Sequence, residues 1–292
     1  MDTAATLSRP GVRSLAAGVG AMTLVGGSVG VSRALITAPL FTAQAIRYAA
    51  AALVLLALAS SAHVPILRPL GWEWLWLAGI AVAVACVPIL LGLVGPLLEG
   101  QPPRRQILVA ALVVTAGSGL VEGAGRTDAA GVAWAVVALC CEAAFTLLAV
   151  PVLPRHGAWG VSVHSVWMGA AMLAALGLAA EGTGAVAQLT AADWAALAYL
   201  AIMVTAVAFL LWYSAVASLG SGRVGLLTGI APVSAALTGI LTGSRPPGPI
   251  VWIGILVVIA GLAGGLGSLP TPRQPWPSRR GRQAPPTPGQ IT

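Results

Sequence analysis

One acidic residue stands deep inside an apolar stretch of the sequence. Glu142 lies within residues 140–145, where its neighbours are cysteine, alanine and phenylalanine. A carboxylate at bilayer depth costs at least about 2.5 kcal/mol on insertion scales, so it needs a cation, a proton or a water-filled cavity. Glu142 is therefore predicted to bind a substrate amine or a proton; the alternative is a neutral acid hydrogen-bonded between helices.

Two arginines lie in or beside other apolar stretches. Arg33 stands late in the first stretch and is the natural counter-charge for Glu142, unless its side chain snorkels to the near interface. Arg47 comes early in the second stretch, where anchoring at the interface competes with substrate binding. A cavity lined by both guanidinium groups would favour anionic or zwitterionic substrates, because guanidinium pairs well with carboxylate and phosphate.

Aromatic and imidazole side chains complete the set of candidate site residues. His164 and Trp167 are three residues apart and therefore share a helix face. The histidine is interpreted either as a packing residue or as a proton relay. Trp134, Trp212 and Tyr213 are predicted to form an aromatic wall of a cavity.

The sequence lacks the motifs that enzymes and cofactors require. It has no Gly-rich phosphate loop, no cluster of metal ligands and no nucleophile beside a base. Cys86, Cys140 and Cys141 lie in apolar stretches without paired spacing. The net charge of +7 comes largely from short loops and an arginine-rich tail, a pattern typical of membrane topology rather than nucleic-acid binding. We predict no enzymatic activity, cofactor, metal or nucleic-acid partner.

The composition places these residues in a membrane. Hydrophobic residues make up 58% of the chain and charged residues only 8%, whereas about 25% of an ordinary soluble domain is charged. The apolar stretches are hydrophobic all round, as lipid-facing helices are. The lipid bilayer is the expected solvent, and the expected fold class is an all-α polytopic membrane protein. No convincing cleavage site follows Arg9 and Arg13, so the first helix is expected to be retained.

Nine apolar stretches come close to the roughly 20 residues that a membrane-spanning helix needs. They are 15–36, 42–62, 74–98, 106–123, 129–150, 160–180, 193–217, 222–242 and 250–268. After them the composition changes to Pro, Arg, Gln and Gly, which cannot bury enough apolar area to fold. Residues 269–292 are therefore expected to form a disordered tail.

The chain repeats part of its own sequence. The stretch from Pro88 to Gly117 matches a stretch that begins at Pro232, 144 positions later, without a gap. Such duplication is typical of carriers whose binding site lies between two repeats. Upstream the register breaks, because Trp74 lies 14 residues before Pro88 whereas Trp194 lies 38 residues before Pro232. The first half is thus 24 residues short, about one spanning helix.

The second half carries a series of residues that resembles a known family. They are Leu189-Thr190, Asp193-Trp194, Tyr199-Leu200, Thr205-Ala206, Leu211-Trp212-Tyr213, Leu219-Gly220, Arg223 and Ala231-Pro232-Val233. In the first half, Arg33 matches a basic residue late in helix one, and Pro39 with Arg47 matches the proline and arginine that lead into helix two. Over most of residues 15–268, the chain resembles the EamA-type transporters of the drug/metabolite transporter superfamily.

The resemblance implies ten helices in two inverted five-helix repeats around a central cavity. It also implies transport of amino acids, nucleotide-sugar-like metabolites or drugs by alternating access. This chain is predicted to have about nine helices, without the family's third or fourth. We expect a cytoplasmic segment 1–14, a short first repeat 15–123, a second repeat 129–268 and the tail 269–292.

The expected function is that of a secondary carrier of small molecules, an exporter in a bacterial inner membrane. Proton coupling and a homodimer are further hypotheses. The alternative is a non-transporting protein derived from the same fold that serves as an interaction partner. Arg279, Arg280 and Arg282 resist translocation, so the tail is predicted to be cytoplasmic. Nine spans then require an external amino terminus, unless residues 74–98 form a hairpin at Pro88.

Overall fold

The computed structural model describes residues 9–82, 105–122, 141–243 and 247–266, and this part of the chain contains helices and turns without a strand. Its helices are α1 Arg9–Gly27, α2 Leu40–Ser61, α3 Glu73–Val82, α4 Arg105–Glu122, α5 Leu153–Ala180, α6 Ala191–Leu219, α7 Ser221–Leu241 and α8 Pro249–Leu266. Two short turns, Val29–Ser32 and Arg33–Leu35, extend α1. Residues 141–147 are also helical.

Six helices of the described residues are long and apolar enough to cross a membrane. They correspond to the predicted spans 15–36, 42–62, 160–180, 193–217, 222–242 and 250–268. Helix α4 corresponds to the predicted span 106–123, although its strongly apolar part is only Val109–Ser118. The all-helical membrane fold is confirmed. The count of nine, the missing helix and the division into repeats stay predictions, because much of 74–98 and 129–150 lies outside the described residues, as do the tail and Trp134.

Helix α5 spans Leu153–Ala180, but its backbone is not helical at Gly157, so the regular helix begins after that residue, close to the start that hydropathy predicted at residue 160. The short turn before Gly157 was left out of the prediction, because Arg155 and His156 lower its hydropathy. Gly157 follows with φ 62° and ψ 179°, which breaks the regular helix between the first turn and the rest. This region of backbone conformation is essentially restricted to glycine.

Replacing Gly157 by alanine is expected to lower the free energy of unfolding by about 1–3 kcal/mol. A Cβ at Gly157 would meet no atom within 4 Å, so the effect would come from backbone strain alone. Gly184 is the matched control, since its φ is −81° and a Cβ there also meets nothing. Equal thermal stability of the two alanine variants in detergent would contradict the prediction.

The repeated sequence brings two helices together. Helices α4 and α8 pack side by side and run antiparallel. At one end the Nε2 of Gln106 donates a hydrogen bond to the carbonyl oxygen of Gly264 at 3.2 Å. At the other end a Cβ on Gly254 would lie 2.8 Å from the backbone nitrogen of Val121. The small glycines allow this close approach, as in many membrane helix pairs.

The contacts between α4 and α8 are reciprocal. A Cβ on Gly117 would lie 2.8 Å from the backbone nitrogen of Val258, and one on Gly261 would lie 2.8 Å from a methyl group of Val114. Gly261 and Val258 stand 144 positions after Gly117 and Val114, so they are their partners in the sequence repeat. Reciprocal contacts of this kind are produced by a two-fold axis between the two helices.

The amino-terminal end of α2 is capped by a side chain that follows α5. The backbone N–H of Phe41 donates to Oε1 of Glu181 and that of Thr42 to Oε2, both at 2.8 Å. Anions are favourable at this end of a helix. Partial burial raises the pKa of Glu181, but the hydrogen bonds from Thr42 and the backbone outweigh it and lower the pKa below its ordinary value.

The Glu181 cap makes stability depend on pH in a defined direction. The pKa of Glu181 is lower in the folded than in the unfolded protein, so its contribution is present above the ordinary glutamate pKa of about 4.3. The contribution is lost as the pH falls through the folded pKa. We expect Glu181→Gln to lower the melting temperature at neutral pH and to flatten the decline toward acid pH. Identical melting curves for both proteins across this range would refute the cap.

Candidate functional site around Arg47

A guanidinium group lies inside the helix bundle, on the face of α2 that meets α6. Arg47 stands about 10 Å along α2 from its start at Leu40, at 1.5 Å per residue. Its Nε donates a hydrogen bond to Oγ1 of Thr205 at 2.7 Å, and its Nη1 donates to Oε1 of Gln44 at 3.2 Å. Its Cζ lies 5.7 Å from the centre of the Tyr48 ring. The half-buried cation is thus held from three directions.

Thr205, the partner of Arg47 on α6, lies in a π-helical turn. Residues Leu200–Val207 form a π-helical segment within α6, and the side chain of Thr205 is fully buried there. Single π-helical turns are frequent at functional sites, because the extra residue per turn changes which side chains face inward. Here the wide turn places the Thr205 hydroxyl beside the guanidinium group of Arg47.

An aromatic cluster lies next to Arg47. The ring of Tyr48 meets Phe209 edge-on at 6.4 Å between centroids, and Phe209 packs on Phe145 at 4.7 Å. Phe145 lies in turn 5.1 Å from Tyr213. Aromatic pairs at such distances stabilise a fixed arrangement beyond the area that they bury. The cluster joins α2, α6 and the helical segment 141–147, and Tyr48 connects it to the cation.

Trp212 and Tyr213, both predicted to line the cavity, are buried and hydrogen-bonded. Nε1 of Trp212 donates to Oγ1 of Thr146 at 3.0 Å, and the hydroxyl of Tyr213 donates to the carbonyl oxygen of Phe145 at 3.1 Å. Only 2% of Trp212 and 0% of Tyr213 is exposed, so they form a rigid support behind the cluster. Their direct contact with a substrate stays a prediction.

Glu142 lies one helical turn before the aromatic cluster. It is half-buried in the segment 141–147, three residues before Phe145 and four before Thr146. Residues at this spacing share a helix face. Glu142 is therefore on the side of this segment that supports Trp212 and Tyr213, and its role as an amine or proton site stays a prediction.

Arg33 is placed apart from this cluster. It lies in the short turn Arg33–Leu35 after α1, and its side chain is exposed. Within the described part of the chain, neither of the two salt bridges involves Arg33. Its position corresponds to the alternative interpretation, in which the side chain reaches the interface.

His164 and Trp167 do share a helix face, and they bond to each other. Nε1 of Trp167 donates to Nδ1 of His164 at 3.1 Å, and Nε2 of His164 lies 2.7 Å from the carbonyl oxygen of Leu67. Because an indole N–H can only donate and a carbonyl can only accept, the ring is neutral with its proton on Nε2. In this arrangement the histidine bridges α5 to the connection before α3.

A second polar cluster lies beside this histidine. One carboxylate oxygen of Glu73 is bonded to Arg155, to Nε2 of His156 at 3.1 Å and to the backbone N–H of Leu70 at 2.7 Å. The rings of His156 and His164 meet edge-on at 5.5 Å. The cluster ties the first turn of α5 to the start of α3.

Sequence reasoning missed several partners in both clusters. Gln44 could have been found, because it precedes Arg47 by one helical turn and shares its face. Thr205 was noticed only as part of the family pattern, and it stands 158 positions from Arg47. The contact between Glu73 and Arg155 spans 82 positions, and no local pattern indicates it.

Comparisons with known proteins show which family and which fold the chain resembles. Residues 129–265 match the EamA-like transporter family. The "Uncharacterized transporter YetK" of Bacillus subtilis (strain 168) is 28% identical over 188 residues, which are 62% of this chain and 57% of that relative. The similarity thus spans little more than half of the relative's length. A solved structure described as "Crystal structure of protein" has the same fold, with a TM-score of 0.69 at 19% identity over 86% of this chain and 96% of that chain.

The matched region begins where the second repeat was predicted to begin. It contains α5 to α8, together with Thr205 and the aromatic residues of α6 that pack near Arg47. The resemblance drawn from residues 189–233 is confirmed by this match. Residues 129–265 of this chain are thus similar to the EamA-like transporters.

Proposed function

We propose that this protein is a secondary transporter that exports small anionic or zwitterionic molecules across a bacterial inner membrane. Arg47 carries the proposal. Its partners among the described residues, Thr205, Gln44 and Tyr48, are all neutral, so none of these three compensates its positive charge. A cation inside a membrane protein is costly and commonly marks a substrate or ion pathway. A carboxylate is a suitable ligand, because it accepts two hydrogen bonds from guanidinium.

The packing of α4 against α8 supports an alternating-access mechanism. The two helices carry the repeated sequence and run antiparallel, which is the arrangement expected of inverted repeats. Inverted repeats of this kind rock against each other around a site near the membrane centre. Arg47 and the aromatic cluster lie between α2 and α6, which the predicted division assigns to different repeats.

A zwitterionic substrate also presents an amine, and Glu142 is the acid proposed to receive either that amine or a proton. Glu142→Gln keeps the shape of the side chain and removes its titration. The variant is expected to insert normally and to lose the pH dependence of transport. An unchanged pH profile would exclude Glu142 as the proton site.

The experiment that tests the function is a transport assay with the purified full chain in lipid vesicles. Three groups of labelled probes of similar size are compared: amino acids, simple carboxylates and organic cations. Saturable transport of probes that carry a carboxylate is the expected result. Transport of organic cations alone would overturn the anionic class, and absence of transport for every probe would favour the non-transporting alternative.

Orientation is tested separately with reporter fusions. A reporter after Thr292 is expected to be active only as a cytoplasmic reporter, because the arginines of the tail resist translocation. Periplasmic activity at that position would overturn the proposed orientation. A second fusion before Met1 then decides whether the number of spanning helices is odd or even. With a cytoplasmic tail, an external amino terminus supports nine spans.

A further inference from the structure

We propose that Thr205 is a positioning residue, which turns the guanidinium group of Arg47 so that its terminal edge receives the substrate carboxylate. The inference rests on the proposed anion-binding function of Arg47. It adds the direction from which the anion approaches and the residue that sets this direction.

The argument begins with the hydrogen-bond donors of Arg47. A guanidinium group has five N–H donors in a fixed planar fork. Oγ1 of Thr205 accepts a hydrogen bond from Nε at 2.7 Å, and Oε1 of Gln44 accepts one from Nη1 at 3.2 Å. A carboxylate that binds side-on needs the Nε–H, which is occupied. The second hydrogen of Nη1 and both hydrogens of Nη2 have no acceptor among the described residues, so the terminal edge is the one that can bind an anion.

The environment of Thr205 explains why its hydroxyl stays in place. The side chain is completely buried within the segment Leu200–Val207. Threonine is branched at Cβ, so few side-chain rotamers are open to it. On the other side, the Tyr48 ring lies 5.7 Å from the guanidinium carbon and is attracted to the cation. The guanidinium plane is therefore fixed by neutral groups, which orient the charge without cancelling it.

Two substitutions separate the hydroxyl of Thr205 from its shape. Thr205→Val keeps the branched shape and removes the acceptor, whereas Thr205→Ser keeps the acceptor and removes the methyl group. A hydrogen bond to a charged donor is among the stronger ones in proteins, so its loss should weaken anion binding about ten-fold. The serine variant should retain most of the affinity. If Thr205 only filled space, Thr205→Val would retain the affinity for anions and Thr205→Ser would lose more of it.

The first measurement observes the Arg47 side chain directly. The full chain is labelled with nitrogen-15 at all three guanidinium nitrogens of arginine and purified in detergent, and the Arg47 signals are identified by their absence in Arg47→Lys. In the unmodified protein and in Thr205→Ser, exchange of the Nε–H of Arg47 with water should be at least about ten-fold slower than in Thr205→Val, because a hydrogen-bonded, buried proton is protected. Equal exchange rates in all three proteins would overturn the contact.

The second measurement adds anions to the same three proteins. Acetate and glycine are the probes, and tetramethylammonium chloride is the control. Both probes should shift the terminal Nη signals of Arg47 in a saturable way, with an affinity about ten-fold lower in Thr205→Val. The control should leave these signals unchanged. If Thr205→Val does not fold, Thr205→Ala replaces it.

The outcomes separate the inference from the function on which it rests. If acetate and glycine leave Arg47 unchanged in the unmodified protein, both the proposed anion site and the positioning role are overturned. If they bind equally well to the unmodified protein and to Thr205→Val, the anion site stands and the role of Thr205 is overturned. Weaker binding in the valine variant with rescue by serine supports both.

Discussion

Arg47→Ala is expected to reduce the Vmax/KM for carboxylate-bearing probes about 30-fold to 1,000-fold, because truncating one member of a buried, hydrogen-bonded charge pair costs roughly 2–5 kcal/mol. The loss should be confined to anionic and zwitterionic probes, which depend on the cation. The measurement is the initial rate of uptake into lipid vesicles at several probe concentrations, corrected for the amount of inserted protein.

Arg47→Lys is expected to fall between the unmodified protein and the alanine variant. Lysine keeps the positive charge but lacks the planar fork, so it cannot bond to Thr205 through Nε and bind a carboxylate with two parallel hydrogen bonds at once. We expect a loss of about ten-fold. Restoration of full activity by lysine would mean that charge alone is sufficient.

Arg33→Ala provides the matched control for the same measurement. Arg33 is also an arginine at the edge of a spanning segment, but its side chain is exposed and lies apart from the Arg47 cluster. Its transport kinetics should stay within about two-fold of the unmodified protein, since no substrate contact would be lost. If Arg33→Ala reproduced the defect of Arg47→Ala, the site would have to include both cations.

Gly254→Leu should separate α4 from α8 and lower the free energy of unfolding by about 3 kcal/mol or more, the upper part of the range for overpacked cores. A Cβ at this position would lie 2.8 Å from the carbonyl oxygen of Gly117, the Cβ of Leu120 and the backbone nitrogen of Val121. Two of these three atoms belong to the backbone, so a change of rotamer cannot relieve the clash. Reversible unfolding in mixed micelles measures the effect.

Gly264→Leu is the control on the same helix. A Cβ at Gly264 would meet no atom within 4 Å, and the residue is exposed. Leucine has a better helix propensity than glycine by somewhat less than about 1 kcal/mol, so this variant should be unchanged or slightly more stable. Similar destabilisation by both substitutions would show that α4 and α8 are not closely packed at Gly254.

Hydropathy alone was enough to predict the membrane, the all-helical fold and six spans that the structure contains. The reason is that each helix that crosses a bilayer requires about 20 apolar residues, and these are consecutive in the sequence. At the start of α6, Thr190 and Asp193 form reciprocal hydrogen bonds as a capping box, a local signal that the predicted span 193–217 did not use. Hydropathy placed the start of α5 at residue 160 and left out the short turn before Gly157, because that turn carries Arg155 and His156.

The internal repeat predicted which helices are equivalent but not how they are arranged in space. Its period of 144 residues identified α4 and α8 as equivalent helices. It left open whether the repeats are inverted or parallel, because a linear pattern contains no direction in space. The reciprocal approach of Gly117 to Val258 and of Gly261 to Val114 depends on how the two helices cross, and only tertiary packing shows it.

In the candidate site, too, the sequence predicted some residues, and only the tertiary structure showed their partners. Charged and aromatic residues in apolar stretches are conspicuous in a sequence, so Arg47, Trp212 and Tyr213 were named from their types alone. Their partners are Thr205, Thr146 and the carbonyl oxygen of Phe145, and no residue type or spacing in the sequence assigns these acceptors to those donors. Which hydroxyl or carbonyl meets a given donor depends on how distant helices cross and on the π-helical turn in α6, and only the tertiary structure shows both.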